Sequence, residues 1–138
     1  MAAKELRVEP LVAEIPRLID WLEAGCAAEG LAEDATLQVA LAVEEAVSNV
    51  INHAFAGLPP PYLIIVRLDI TRQLVAVEIV DNGHPFDPTA TPDPDVSVSL
   101  EGRSPGGLGI HLIRGMMDRV RYRRADDNNI LRLEQIRR

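Results

Sequence analysis

The segment Glu44–His53, which reads EEAVSNVINH, suggests both the fold of this chain and its chemistry. At about 100° per residue in a helix, Glu45 and Asn49 fall together on one side. The opposite side forms an apolar stripe of Ala40, Val43, Val47, Ile51 and Ala54. A carboxylate one turn away from a carboxamide can accept a proton, and the amide oxygen can bind a hard cation such as Mg²⁺. A solvated helix face would contain the same pair, so the pair alone leaves both interpretations open.

The segment 81–83, which reads DNG, follows a predicted β-strand. Apolar residues alternate along Val75–Ile79, and the same alternation places Asp81 on the core-facing side. A carboxylate at that position is costly unless a hydrogen-bond donor satisfies it. Gly83 would allow a flat ligand to approach the backbone closely. The alternative is a turn-initiating aspartate that binds its own backbone.

The segment 106–109, which reads GGLG, opens a third predicted helix. Glycines at a helix start leave backbone N–H groups uncovered, and the helix dipole favours an anion there. A glycine-rich hinge without a ligand is the alternative. Residues 88–105 form a long connection rich in Pro, Thr, Ser and Asp, which is typical of a lid or binding loop. A disordered surface loop would have the same composition.

The periodicity of the remaining chain predicts one α+β domain over residues 1–138. The predicted elements are a strand at Leu6–Glu9, helices at Val12–Ala28 and Asp34–Phe55 with Asp34 as N-cap, strands at Tyr62–Ile70 and Val75–Ile79, the third helix, and strands at Val120–Ala125 and Ile130–Ile136 around a turn at 126–129. This order predicts a two-layer sandwich, in which about three helices cover one face of a mixed, mostly antiparallel sheet.

Composition and charge exclude several classes of protein. With 47% hydrophobic and 25% charged residues, the chain has the balance of a folded globular domain. No apolar run is long enough to span a bilayer, charged residues occupy the place of a signal peptide, and the single Cys26 cannot form an internal disulfide. We therefore expect a cytoplasmic protein without a membrane partner. The net charge of −7 argues against direct nucleic-acid binding, although the arginine-rich C-terminal third would suit either solvent or an acidic partner.

Taken together and in this order, the three motifs resemble the N-box and the two glycine boxes of the GHKL ATP-binding superfamily, which has the Bergerat-type fold. Within it, the chain is most similar to the stand-alone anti-sigma-factor serine/threonine kinases of bacterial partner-switching systems. The matching stretches are Glu45–His53, Asp81–Pro88 and Gly106–Tyr122. Pro85 is a departure, because the broader superfamily often has a second glycine in that loop.

The resemblance implies a role for each matching residue. Glu45 would be the catalytic carboxylate that activates the substrate hydroxyl, and Asn49 would be the Mg²⁺ ligand. Asp81 would accept a hydrogen bond from the adenine amino group of ATP or ADP, with Gly83 leaving room for the ring. Residues 88–105 would be the ATP lid. The other implied nucleotide-binding residues are His53, Phe86, Gly106, Gly107, Leu108, Gly109 and Ile110.

The resemblance also implies an activity and partners. The chain would be an ATP- and Mg²⁺-dependent protein-serine/threonine kinase that phosphorylates a STAS-type anti-anti-sigma antagonist. In its other state it would bind a sigma factor or another effector, and it would form a homodimer. The alternative is a non-catalytic ATP-binding module that sequesters its partner, and Glu45 is the residue that favours the kinase. A histidine-kinase fragment is a third interpretation, but such proteins usually lack a carboxylate at the position of Glu45.

Overall fold

The structure, a computed structural model, describes residues 3–90 and 107–138. Within these ranges the strands are β1 (Lys4–Arg7), β2 (Ile64–Ile70), β3 (Leu74–Asp81), β4 (Arg119–Ala125) and β5 (Asn128–Ile136). The helices are α1 (Ile15–Ala28), α2 (Glu33–Asn49) and α3 (Gly107–Met116), with short helical turns at Val12–Glu14, Val50–Ala54 and Pro88–Ala90. The order of helices and strands is the predicted one. No helix in the described ranges has the length and apolar character needed to cross a membrane.

The five strands form one sheet in the order β1-β2-β3-β5-β4, and every neighbouring pair is antiparallel. The predicted α+β sandwich is confirmed, but the sheet contains no parallel pair and so is not mixed. The reason lies in the path of the chain after β3. Helix α3 returns the chain so that β4 runs in the same direction as β3, and β5 then inserts between them and pairs antiparallel with both.

The hydrophobic core lies between the helices and one face of the sheet. Strand β2 alternates strictly, so that Ile64, Val66, Leu68 and Ile70 are each at most 3% exposed. The core-facing side chains of the helices belong to the same cluster and include Leu18, Leu22, Cys26, Val39, Val43, Val47 and Ile113. Each large apolar side chain buried in this way contributes about 1.5–3 kcal/mol relative to exposure. This packing fixes helix α2 directly above the central strands.

The helix boundaries differ from the predicted ones at the start of α1 and at both ends of α2. Helix α1 begins at Ile15 rather than at Val12, because Val12–Glu14 forms a separate helical turn. Gly30 ends α1 with a φ of +72°, a conformation that glycine adopts without strain. Helix α2 begins one residue before Asp34, with Ala32 as N-cap. Asp34 lies in the first turn instead, where its charge still interacts favourably with the helix dipole. At its other end, α2 widens into a π-helical turn at Val50–Ala54.

The turn between β4 and β5 is shorter than predicted. Asp126 and Asp127 both have positive φ values, 53° and 63°, and they alone connect the strands. This is the two-residue turn that matches the twist of a β-hairpin. Asn128 and Asn129, which the sequence placed in the turn, therefore belong to β5, where Asn129 pairs with Asp81 of β3.

Candidate functional site

A cavity of about 340 Å³ opens between the C-terminal end of α2, helix α3 and the neighbouring ends of β3 and β5. Its apolar walls include Ile79 from β3, Ile110 and Ile113 from α3, and Leu131 from β5. The volume lies in the range of about 300–1,000 Å³ that is usual for small-molecule sites, in which a few polar groups fix the orientation of the ligand. The polar residues that line this cavity are therefore the candidate functional residues.

Asp81 brings a carboxylate into this apolar cavity. It is the last residue of β3 and is 5% exposed. Its Oδ1 accepts hydrogen bonds from the backbone N–H of Gly83 and from Nδ2 of Asn129, each at 2.9 Å. In residues 3–90 and 107–138 no donor pairs with Oδ2, which leaves that oxygen for a donor that enters the cavity. Asp81 thus faces the core, as the strand alternation predicts, and also accepts a hydrogen bond from the backbone of its own turn.

Opposing effects act on the protonation of Asp81. Burial raises the pKa of this carboxyl above its usual value. The hydrogen bonds from Asn129 and Gly83, together with the positive charge of Arg124, lower the pKa and oppose part of that increase. The surrounding donors therefore favour the ionised, hydrogen-bond-accepting form of Asp81.

The loop after β3 is held against the end of α2. A side chain on Gly83 would collide with Ala54, because a Cβ at that position would lie 2.5 Å from the Ala54 carbonyl oxygen. The next residue continues the contact: the backbone N–H of His84 donates to the same carbonyl at 2.9 Å. The structure thus gives Gly83 a packing role against α2 in addition to the ring clearance that the resemblance implies.

Helix α2 brings Asn49 and His53 to the cavity, one turn apart. Glu45, one turn earlier, is half-buried and is not among the described residues that line the cavity. It packs instead against helix α3, where a Cβ on Gly109 would lie 2.5 Å from its Oε1 atom. The carboxylate therefore lies beside the first turn of α3, next to the cavity rather than inside it.

The first turn of α3 is described only in part. The helix begins at Gly107, as the glycine motif predicts, and Ile110 lines the cavity. Gly106, the side chain of Leu108 and most of the predicted lid at 88–105 lie outside the described residues. The described start of that lid is tied to α3, because Arg114 Nη2 donates to the carbonyl of Thr89 at 2.6 Å. Phe86, just before it, lines the cavity while 55% exposed.

Asn129 is the site residue that the sequence analysis missed. It lines the cavity, is 6% exposed and hydrogen-bonds the buried carboxylate of Asp81. Tyr122 and Arg124 of β4 reach the same side chain, with Tyr122 Oη donating to its Oδ1 at 2.5 Å. Part of the signal was the length of the turn, since a two-residue turn at Asp126-Asp127 puts Asn129 in β5, opposite Arg124; its register with Asp81 depends on the pairing of β5 with β3.

No group of three or more His, Cys, Asp or Glu side chains that could hold a metal ion occurs in the described ranges. Asn49 offers a neutral amide oxygen at the cavity wall. That donor type suits Mg²⁺, which usually takes one or two protein oxygens together with phosphate oxygens of a bound nucleotide.

Comparison with known proteins identifies the family of this chain. A sequence profile described as "Histidine kinase-like ATPase domain" matches residues 8–134. The chain belongs to the histidine kinase-like ATPase family. Among its relatives is the serine/threonine-protein kinase BtrW of Bordetella bronchiseptica, which is 34% identical over 113 residues, covering 82% of this chain and 79% of BtrW. The serine-protein kinase RsbW of Staphylococcus aureus is 31% identical over 121 residues, covering 84% of this chain and 76% of RsbW. These relatives confirm the branch of the superfamily that the motifs indicated.

Two solved structures share the fold. The histidine kinase domain of the blue-light activated histidine kinase EL346 from Erythrobacter litoralis superposes with a TM-score of 0.56 at 16% identity, covering 98% of this chain and 69% of that domain. A longer chain of the same kinase gives a TM-score of 0.52 at 15% identity, and this chain spans only 30% of its length. At these identities the likeness extends to the fold alone.

Proposed function

We propose that this chain is an ATP-dependent protein-serine/threonine kinase. The observation that carries the proposal is the position of Glu45, whose carboxylate lies beside the first turn of α3, one helical turn from the cavity-lining Asn49. A carboxylate near the phosphate end of a nucleotide site can accept the proton of a substrate hydroxyl, which phosphoryl transfer to a protein requires. The relatives BtrW and RsbW, both named as kinases of serine or serine/threonine, support this assignment.

The cavity fits the adenine ring of ATP. Its walls offer apolar contacts to a purine, and one oxygen of Asp81 has no donor among the residues that the structure describes. An amino group on the ring would supply the missing donor, and a hydrogen bond to a charged acceptor contributes about 1.5–3 kcal/mol. The phosphates would then extend toward Asn49 and the start of α3, where the helix dipole favours negative charge.

Asn49 would hold Mg²⁺ together with phosphate oxygens of the nucleotide, since an amide oxygen is a suitable ligand for this cation. When bound, Mg²⁺ neutralises phosphate charge and so favours transfer of the terminal phosphoryl group.

Glu45 would act on the substrate hydroxyl. Its carboxylate would hold the hydroxyl of a serine or threonine in line with the γ-phosphorus and accept the proton as transfer proceeds. A bond forms between the hydroxyl oxygen and the γ-phosphorus, the bond to the bridging β–γ oxygen breaks, and ADP leaves. For this step the carboxylate must turn from Gly109 toward the bound nucleotide.

The protein substrate and partners follow from the resemblance. We propose that the substrate is a STAS-type anti-anti-sigma protein and that the chain binds a sigma factor or another effector when the substrate is phosphorylated. A homodimer and a cytoplasmic location belong to the same proposal. The alternative is a non-catalytic ATP-binding module that sequesters its partner; it would use the same cavity, and the phosphoryl-transfer assay separates it from the kinase.

The test compares two adjacent glutamates. Purified wild type, Glu45→Gln and Glu44→Gln are incubated with labelled ATP, Mg²⁺ and a purified STAS-domain protein from the same genome. We expect Glu45→Gln to lower phosphoserine formation by about 10²–10⁴-fold, the usual contribution of a general base. Glu44 is exposed on the same helix and should be dispensable.

Calorimetric titration with ADP, run on the same three proteins, separates binding from catalysis. Equal ADP affinity in all three would show that Glu45→Gln affects transfer alone. Full activity of Glu45→Gln would refute the catalytic role, and nucleotide binding without any transfer by wild type would favour the sequestering module.

A further inference from the structure

Asn129 uses the whole hydrogen-bonding capacity of its side chain within the site. Its Nδ2 donates to Oδ1 of Asp81 at 2.9 Å and to the backbone carbonyl of His84 at 2.8 Å. Its Oδ1 accepts from the hydroxyl of Tyr122 at 2.5 Å, from Nη1 of Arg124 at 3.2 Å and from the backbone N–H of Phe86 at 3.3 Å. Only one orientation of the amide satisfies these five contacts, because a flip would set donors against donors.

The sheet itself produces this arrangement. Asn129 on β5 pairs in register with Asp81 on one side and with Arg124 on the other. The three side chains therefore lie in a row across three strands. A second contact closes the group, because Nη1 of Arg124 also donates to the carbonyl of Gly83 at 3.0 Å. Asn129 thus connects the strand that carries the carboxylate to His84 and Phe86 of the loop at 83–86, and Arg124 adds the contact with Gly83.

The two carboxylate oxygens of Asp81 therefore differ in their hydrogen bonds. Oδ1 is occupied by Asn129 and Gly83, so Oδ2 is the oxygen that remains for a ligand. An ionised carboxylate accepts a hydrogen bond from the 6-amino group of adenine. It repels the 6-oxo group of a hypoxanthine or guanine ring, which offers only an acceptor at that position.

We propose that Asn129 is a positioning residue that orients Asp81 as an acceptor with one free oxygen, and that it thereby sets the preference for a 6-amino over a 6-oxo purine. The inference rests on the proposed function only in placing a purine nucleotide in the cavity. It does not require phosphoryl transfer. Removal of Asn129 withdraws a donor from a buried carboxylate, so the carboxyl would be held by the N–H of Gly83 alone and would take up a proton more readily. A protonated carboxyl could donate to a 6-oxo group.

The test measures the ratio of two affinities. ADP and IDP, whose rings differ at the 6-position, are titrated by calorimetry into wild type, Asn129→Ala and Asn128→Ala. Asn128 is the matched control, since it is the preceding residue of β5 and its side chain points to the other face of the sheet. We expect Asn129→Ala to lower ADP affinity by about tenfold, the equivalent of one hydrogen bond to a charged group, with little change for IDP. Asn128→Ala should leave both affinities unchanged.

A second variant keeps the inference testable if Asn129→Ala does not fold. Asn129→Asp keeps the shape of the side chain but replaces the donor with an oxygen next to Asp81. Two carboxyl groups in contact hold a proton between them, so the preference for ADP over IDP should again shrink. Thermal unfolding of each variant confirms that it is folded before titration.

The outcomes separate the two proposals. Equal losses of ADP and IDP affinity in both Asn129 variants would mean a merely structural role and would overturn the inference, as would an unchanged ratio. Failure of folded wild type to bind either nucleotide would overturn it together with the proposed kinase. A wild type that prefers ADP but transfers no phosphate, combined with a reduced ratio in the variants, would support the inference and refute the kinase alone.

Discussion

Burial of the Asp81 carboxylate destabilises the folded state, and the same carboxylate supplies a hydrogen-bond acceptor to the cavity. Its carboxylate is withdrawn from water at the end of a central strand, where the charged form is destabilised. The donors of Asn129 and Gly83 compensate one oxygen only. The remaining deficit raises the pKa of Asp81 and leaves an acceptor facing the cavity. This cost is what the proposed role of Asp81 as a ligand acceptor would require.

The incomplete hydrogen bonding of this buried carboxylate predicts that the free energy of unfolding depends on pH in an unusual direction. Because burial raises the pKa of Asp81 in the folded state above that of the unfolded chain, the folded state takes up this proton at higher pH. As pH falls toward the unfolded value of about 3.9, protonation removes the cost of the buried charge. We expect wild type to gain stability relative to Asp81→Asn over that window, and denaturant unfolding of both proteins from about pH 7 to about pH 4 measures the difference.

Other acidic groups do not obscure this comparison. The hydrogen bond from Arg17 lowers the pKa of Glu14 to about 2, and the hydrogen bond from Arg138 lowers the pKa of Asp118. Both carboxylates lose these stabilising interactions on acidification. They do so equally in both proteins and cancel in the difference. A difference in unfolding free energy that did not change with pH would show that Asp81 is not destabilised by burial.

At this scale the sequence predicted Asp81 but not Asn129. Strand alternation alone places Asp81 on the core-facing side, because the side-chain period of a strand is two. The role of Asn129 depends on where the β4–β5 turn ends and on the register in which β5 pairs with β3. Four polar residues in a row, 126–129, do not reveal where the turn ends and the strand begins.

At the scale of elements, the contact between α2 and α3 depends on Gly109. The glycine lets the first turn of α3 approach the side chain of Glu45 closely, since an added Cβ would lie 2.5 Å from Oε1 and 3.3 Å from Cδ. A flexible carboxylate can move away from such a methyl group, but only by leaving its present position. The helix contact and the position of the proposed catalytic group are therefore coupled.

We expect Gly109→Ala to retain the fold but to reduce phosphoryl transfer. Displacement of a catalytic group by about 1 Å costs up to about 10²-fold in rate, and ADP affinity should change much less because Asp81 is untouched. Gly115→Ala is the matched control on the same helix, where an added Cβ meets no atom within 4 Å. That variant should keep full activity and gain about 0.5–1 kcal/mol from higher helix propensity. Assays of transfer and of thermal unfolding on both variants decide the matter, and equal activities would disprove the coupling.

The sequence predicted the type and order of the elements, because hydrophobic period, glycines and prolines act locally. It did not predict the π-helical turn at Val50–Ala54, in which the last part of α2 passes the loop at Gly83. That distortion lies at the cavity, where His53 and Ala54 are lining residues. Such turns arise where an element adapts to its neighbours and are frequent at functional sites.

At the scale of the whole molecule, ion pairs cross the face of the sheet that the helices leave uncovered. Starting from β1, Glu5 pairs with Arg67 at 2.7 Å, Arg67 with Glu78 at 3.7 Å, and Glu78 with Arg132 at 3.3 Å. The series continues from Arg132 to Glu134 at 2.7 Å and from Glu134 to Arg119 of β4 at 3.6 Å. Opposite charges thus alternate across all five strands, which stabilises their register.

Glu78 lies in the middle of this series and provides a test. We expect Glu78→Gln to lower the free energy of unfolding by about 1 kcal/mol at low ionic strength, because it removes two cross-strand pairs. The loss should shrink in about 1 M salt, where charges are screened within about 3 Å. Asp69→Asn is the control, since Asp69 shares this face of β2 with Arg67 but has no ion pair in the described part of the chain. An equal loss of unfolding free energy in both variants would contradict a stabilising role for these ion pairs. A loss in Glu78→Gln that does not change with salt would contradict it as well.

The sequence by itself determined the class of fold, the order of the elements, the family and the three motifs of the site. These features depend on local periodicity and on residue types at fixed spacing, which a linear chain displays directly. Only the tertiary structure decided that β5 lies between β3 and β4, that Asn129 hydrogen-bonds Asp81 and that Glu45 packs against Gly109. These contacts join residues far apart in the chain, and their geometry depends on strand register and helix packing, for which the entire core must be assembled.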